Sequence, residues 1–216
     1  TIRVELFEGR SVEILDVETN NSRRDSVRAG LDQAEVVESA QADLAVESLH
    51  AVARQREVLE EMFALILASN LAQPCVYVHR DYTPRNLMVS DPNPGILDFQ
   101  DAVRGAVTYD LVSLLRDAYI ELDESLIDRL INRYLDQMAT HRQVRINREA
   151  FRRLFDFTSI QRNLKAAGRF VYIDRVKGNP KFLADIPRTL GYVRRNLEKY
   201  PELDLLRTQL ARYVPE

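Results

Sequence analysis

Three oxygen-bearing side chains stand at a spacing that suits phosphoryl transfer. In His79-Arg80-Asp81-Tyr82-Thr83-Pro84-Arg85-Asn86 a carboxylate precedes an amide by five residues, and Asp98 follows twelve residues later within Ile96-Leu97-Asp98-Phe99. Such a transfer needs one group to orient the attacking hydroxyl and take its proton, and oxygen ligands to hold Mg²⁺ against the phosphates. A loop carrying both groups lets Asp81 face the acceptor while Asn86 turns its carbonyl oxygen to the metal. Asp98, at the end of a buried strand, offers the anionic oxygen that a hard octahedral cation prefers. His79 is expected to pack and hydrogen-bond beneath the loop. Each residue alone reads as a turn or cap; their joint spacing carries the argument.

Positioning them requires a frame. The apolar runs Cys75–Val78 and Ile96–Phe99, separated by a polar loop and the turn Asp91-Pro92-Asn93-Pro94-Gly95, read as strand, loop, turn, strand. Asp110, in the first turn of an apolar helix, is expected to accept backbone N–H groups of the loop, since a desolvated carboxylate needs partners. The alternative is an Asp that only complements the helix dipole. Helical periodicity covers Tyr109–Leu122, Glu124–Ala139, Arg148–Val176 with Gly168 as a candidate break, Phe182–Lys199 and Glu202–Val214. Upstream, Ile2–Val17 reads as a hairpin and Gln33 to Asn70 as largely helical. The fold class is α+β, mainly α, with a short β-hairpin around the loop. Its expected organisation is an atypical segment, 1–57, followed by a lobe, 58–216, that carries the chemistry.

The composition is that of a globular chain: 216 residues, 45% hydrophobic and 29% charged. The single cysteine, Cys75, excludes an intrachain disulfide and suits a reducing compartment, so a cytoplasmic location is expected. No apolar run approaches the roughly 20 residues that span a bilayer. The formal charge of −3 hides an asymmetry, since residues 1–116 carry 11 basic and 19 acidic side chains while 117–216 carry 19 and 14. The basic half invites an anionic small-molecule partner. Its cations are spread along helices without a nucleic-acid-binding module, so no nucleic acid is expected. Gln161, Arg162, Lys165 and Arg169 form one polar helix face at helical spacing.

With these residues in place, the chain resembles the aminoglycoside-phosphotransferase-like kinases, the relatives of choline and homoserine kinases, over about residues 58–214. His79 to Met88 and Gly95-Ile96-Leu97-Asp98-Phe99-Gln100-Asp101-Ala102 look like the anomeric kinases of N-acetylmuramate and N-acetylglucosamine, and Phe155-Asp156 and Gln161-Arg162-Asn163-Leu164-Lys165 continue the likeness. The resemblance implies a protein-kinase-like C-terminal lobe and ATP and Mg²⁺ as cofactors. It implies Asp81 as catalytic base and Asn86 and Asp98 as metal ligands, with His79, Asp101 and Asp110 in support. Asp156, Arg162 and Lys165 are implied at the sugar substrate, in cell-wall recycling. Eleven residues between Asp98 and Asp110 leave no room for an activation segment, which separates the chain from protein kinases.

The nucleotide clamp of such kinases is not visible. Only Gly9 and Gly30 precede His79, and the first lysine is Lys165, so neither a glycine-rich cover nor a strand lysine stands ahead of the loop. The expectation is that a missing or separate N-terminal nucleotide-binding lobe completes the site. The competing reading is a pseudokinase binding module. Intact Asp81, Asn86 and Asp98 argue against it. A third reading keeps the chemistry and changes the acceptor to an aminoglycoside, choline or homoserine; a substrate half of charge +5 disfavours the cations among these.

Overall fold

The computed structural model describes residues 47–48, 50–142 and 147–213. The hairpin expected at Ile2–Val17 and the start of the helical stretch at Gln33 lie outside them. The chain divides into two compact units, Thr1–Arg54 and Gln55–Glu216. In the first, the described residues are helical and exposed.

The second unit begins with helix α1 (55–71 within this unit). There follow β1 (Cys75–Val78), β2 (Leu87–Met88), β3 (Gly95–Ile96), β4 (Val103–Ala106), α2 (Tyr109–Leu115), α3 (Glu124–Arg142), α4 (Arg148–Lys177), α5 (Ile186–Leu197) and α6 (Asp204–Tyr213). The described residues are thus mainly helical with two small antiparallel sheets, β1 with β4 and β2 with β3. No described helix is long and apolar enough to cross a membrane.

Helix α4 is the spine: residues Phe155 to Ile160 are buried without interruption, so this stretch is covered on every side. Phe151 and Phe155 enter a cluster with Val112 and Leu115 of α2 and Ile127, Ile131 and Leu135 of α3. Phe157 and Ile160 enter another with Met62 and Ile66 of α1, Val193 and Leu197 of α5, Leu203, and Leu206 of α6. Polar groups lock the same helix. Thr158 Oγ1 lies 2.7 Å from Thr108 Oγ1 and 3.0 Å from both Gln73 Nε2 and Asn70 Oδ1, and Gln73 Oε1 accepts from Thr108 Oγ1 at 2.7 Å. Fully satisfied buried polar groups of this kind fix one arrangement of the elements they join: here the end of α1, the approach to β1, the start of α2 and α4.

Several boundaries differ from the sequence reading. Helix α2 stops at Leu115 rather than Leu122. Arg116 leaves helical geometry, and the Asp117 carboxylate takes the N–H groups of Tyr119 and Ile120, a local alternative to helical bonding. Helix α4 runs through Gly168 unbroken and ends at Gly178, whose φ of 64° is the left-handed geometry that glycine supplies most readily. The second apolar run forms a strand only at Gly95–Ile96, and Ile96, Leu97 and Phe99 are exposed, so Asp98 does not end a buried strand. Both backbone groups of Leu97 are diverted to the preceding loop: its N–H to Asn86 O (2.9 Å) and its carbonyl to the His79 ring (2.8 Å). The partner of β1 is β4, with Val78 opposite Val103, a strand too short and polar to stand out in the sequence.

Asp156, fully buried in α4, accepts from Lys199 Nζ at 2.9 Å, Tyr200 Oη at 3.0 Å and Arg152 Nε at 3.3 Å. Desolvation and this carboxylate together push the Tyr200 phenol well above its ordinary range. Removing one member of a buried charge network costs about 3–5 kcal/mol. Asp156→Ala is therefore expected to lower unfolding free energy by about that amount, read from urea-induced unfolding.

Candidate active site

The loop between β1 and β2 is held from below by one carboxylate. Asp110 accepts the backbone N–H of His79 at 2.6 Å through Oδ2 and that of Arg80 at 3.0 Å through Oδ1. This is the role expected of it. Arg80 takes a left-handed φ of 76°, which turns the chain so that both N–H groups converge on the carboxylate. The buried His79 ring donates through Nε2 to Leu97 O at 2.8 Å and meets Tyr82 edge-on. Arg80 Nη1 donates to the Asp101 carbonyl at 3.4 Å; the Asp101 carboxylate makes no described hydrogen bond.

Asp81 and Asn86 meet at the exposed end of this frame, and Asp98 follows directly on the Leu97 backbone bond to Asn86. A 3-10 turn, Pro84–Asn86, brings the amide back so that Asn86 Nδ2 donates to Asp81 O at 2.9 Å and Oδ2 at 3.2 Å. The β2–β3 pairing sets Leu87 opposite Ile96, so Asp98 emerges beside Asn86. Asp98 has a φ of 62°, strain for a non-glycine residue of the kind that collects at functional sites. Its Oδ1 accepts from Gln100 Nε2 at 2.5 Å.

This donor set can be tested against a cation. With Nδ2 committed to Asp81, Asn86 Oδ1 has no described hydrogen bond, and Asp98 Oδ2 has none either. The open donors are therefore one amide oxygen and one carboxylate oxygen, hard ligands that flank the β2–β3 pair at residue 86 and residue 98. No group of three or more His, Cys, Asp or Glu side chains that could cage a metal occurs among the described residues. Two protein oxygens fit Mg²⁺, which keeps most of its shell for water and phosphate, better than a cation that demands a full protein cage.

Asp81 also lines a cleft of about 230 Å³ with Thr83, the segment Arg116–Tyr119, and one face of α4. That volume is below the roughly 300–1,000 Å³ of drug-sized sites and suits a small molecule. Arg162, Lys165, Ala166 and Arg169 recur at helical i, i+3, i+4 and i+7 spacing and so share the wall. Arg162 is tied to Tyr109 Oη at 3.2 Å, whereas Lys165 and Arg169 are exposed and pair with no described carboxylate.

A family model described as "Phosphotransferase enzyme family" matches residues 12–146, a span that contains Asp81, Asn86, Asp98 and Asp110. The chain belongs to this family. The match begins well upstream of residue 58 and ends before α4. The chain is 43% identical to the N-acetylmuramate/N-acetylglucosamine kinase of Pseudomonas putida over 150 residues, 69% of this chain and 44% of that protein. It is 43% identical to the Neisseria meningitidis protein of the same name over 162 residues, 74% of this chain and 48% of the relative. With the Pseudomonas aeruginosa protein of that name it shares 44% identity over 149 residues. The chain thus spans about half the length of the curated relatives it matches.

Within this phosphotransferase-family chain, the residues expected at the substrate separate into two groups. Arg162 and Lys165 line the cleft with Asp81. Asp156 does not: it is sealed in the core by Arg152, Lys199 and Tyr200. Gln161 also leaves the expected polar face, its Oε1 accepting from Asn70 Nδ2 at 2.8 Å. Sequence reasoning missed Asp117, hidden inside an extended helix assignment, and Arg85, whose guanidinium lies 3.4 Å above the centre of the Tyr119 ring.

Because Asp110 joins the loop to α2 through two charge-assisted bonds, Asp110→Ala is expected to cost about 1.5–3 kcal/mol. Amide exchange at His79 and Arg80 should accelerate more than exchange in the middle of α4, as read by residue-resolved hydrogen exchange.

Proposed function

We propose that this chain carries the acceptor-binding and phosphoryl-transfer part of an ATP-dependent kinase. Its acceptor would be the carbon 1 hydroxyl of N-acetylmuramate or N-acetylglucosamine, in the recycling of cell-wall sugars. The observation that carries the reading is a small cleft lined both by a loop carboxylate, Asp81, and by Lys165 and Arg169, which pair with no described carboxylate. The names of the relatives support the same acceptor.

In this reading the lobe is protein-kinase-like, and Asp81 accepts the proton of the attacking hydroxyl. Asn86 Nδ2, donating to Asp81 Oδ2, keeps that carboxylate turned to the cleft. Asn86 Oδ1 and the Asp98 carboxylate would hold Mg²⁺, which offsets phosphate charge when bound with ATP. Lys165 and Arg169 hold the acceptor's own carboxylate where one exists, and their field disfavours aminoglycosides and choline. Residues 1–164 contain no lysine, so in this reading the phosphates draw their cationic and backbone donors from another nucleotide-binding part.

Two substitutions in the full-length protein test this assignment. Asp81→Asn is expected to lower kcat by about 10²–10⁴-fold with little change in thermal stability; wild-type turnover in the variant would remove Asp81 from the role of base. Lys165→Met with Arg169→Met should raise KM for N-acetylmuramate by about two- to fivefold relative to N-acetylglucosamine, because exposed ion pairs are individually weak. Competing the two sugars with phosphorus NMR readout measures that ratio, and an unchanged ratio counts against the carboxylate-reading wall.

A further inference from the structure

Asp117 is a carboxylate with half of its bonding capacity idle. The residue is 5% exposed. Its Oδ1 accepts the N–H of Tyr119 at 2.8 Å and that of Ile120 at 3.0 Å, while its Oδ2 accepts from no described donor. No cation closes on it within ion-pair distance among the described residues; Arg85 and Arg162 act on it through space. Burial pushes the carboxyl above its ordinary value despite the two backbone bonds and those two cations. The residue is almost wholly withdrawn from water, yet Oδ2 keeps room for a donor that the fold does not supply.

The oxygen also has a fixed address. Arg116 grips Glu124 with two bonds of 2.5 and 2.7 Å, Arg188 Nη1 donates to Ala118 O at 2.9 Å, and Tyr192 Oη reaches Ile120 O at 3.4 Å. Arg85 covers Tyr119 from the loop side. The short segment between α2 and α3 is thereby pinned at Arg116 and at Ala118, Tyr119 and Ile120, on both sides of Asp117, and it lines the same cleft as Asp81. A preorganised acceptor oxygen in a small cleft defines the orientation of whatever donates to it.

We propose that Asp117 orients the acceptor, its Oδ2 receiving a hydrogen bond from a ring hydroxyl other than the one that is phosphorylated. This rests on the sugar-kinase reading above and adds a binding residue to it. The donor is a hydroxyl rather than an ammonium because Arg85, Arg162, Lys165 and Arg169 surround the site with positive charge, which repels a cation. A hydroxyl is neutral and can also accept from Arg162 while it donates to Asp117.

The test is Asp117→Asn in the full-length protein. The amide keeps an oxygen for the two backbone N–H groups and presents an NH₂ donor where the carboxylate accepted. Loss of a hydrogen bond to a charged group corresponds to roughly a ten- to hundredfold change. KM for the acceptor sugar should rise by about that factor, with KM for Mg-ATP unchanged. The melting temperature at pH 7 should hold or rise, since the carboxyl's raised value means that its ionisation disfavours the empty fold. A series of acceptors each lacking one hydroxyl identifies the donor: wild type should lose the same factor on one deoxy sugar, and Asp117→Asn should be indifferent to that deletion. If every deoxy sugar leaves the gap between wild type and variant intact, or if only the melting temperature moves, Asp117 is structural and the proposal is overturned. A wild type that phosphorylates amino sugars beside an unaffected variant defeats this inference alone. A wild type inactive on every amino sugar defeats the sugar-kinase reading and this inference with it.

Discussion

The bond pair from Asp110 to the backbone of His79 and Arg80 is the constraint on which the rest of the site depends. The loop from residue 79 to 86 has almost no regular structure of its own, so its course has to be imposed. Asp110 sits in the first turn of α2, where the dipole of the helix favours a negative charge. The helix in turn is fixed by Thr108, which shares hydrogen bonds with Gln73 and with Thr158 of α4. Position therefore passes from the core helix through Thr158, Thr108 and Asp110 to the loop, and from the loop through His79 and the Leu97 carbonyl to Asp98. A displacement of α2 would move Asp81 and Asp98 together, which is what a site needing both requires.

The opposite charges of the two halves of the sequence acquire a meaning at the cleft. Asp81 comes from the acidic half, and Arg162, Lys165 and Arg169 come from the basic one. Helix α4 does both jobs along its length: Phe155, Phe157 and Ile160 are buried, and from Arg162 onward one face opens to the cleft. Two aspartates show how burial is to be read. Asp156 and Asp117 are both withdrawn from water. Asp156 has a lysine, an arginine and a phenol on its oxygens and is explained by the fold alone. Asp117 keeps an oxygen that the fold does not use.

How much was legible follows from the same physics. The pairing of Asp81 with Asn86 could be read because polar residues at fixed spacing between apolar runs leave few arrangements. Asp110 could be read because a carboxylate in an apolar helix must find donors, and the nearest chain segment with free N–H groups was the loop. Asp98 was placed in the right neighbourhood by the wrong element, since His79 and Asn86 draw Leu97 out of the strand. Asp156 was misassigned because a motif likeness carries no information on burial. Asp117 was overlooked because helical periodicity continues through Leu122, whereas an Asp directly after Arg116 can end a helix by bonding forward to Tyr119 and Ile120.

The cleft is lined by charged groups of different strength. Lys165 and Arg169 are exposed, so water and salt screen them, and an exposed ion pair contributes at most about 1 kcal/mol. In the proposed reading such cations would set which class of acceptor enters, through a field that extends beyond contact distance. They do little to fix its rotation, because a flexible charged side chain tolerates many geometries. Asp117 has the opposite properties: it is short, withdrawn from water, and held by two backbone bonds. A hydrogen bond to a charged group of this kind contributes about 1.5–3 kcal/mol and is lost when its angle is wrong. If the proposed roles hold, selection by charge and orientation by a fixed carboxylate are separable properties of one cleft, and only orientation would bear on bringing a particular hydroxyl to Asp81.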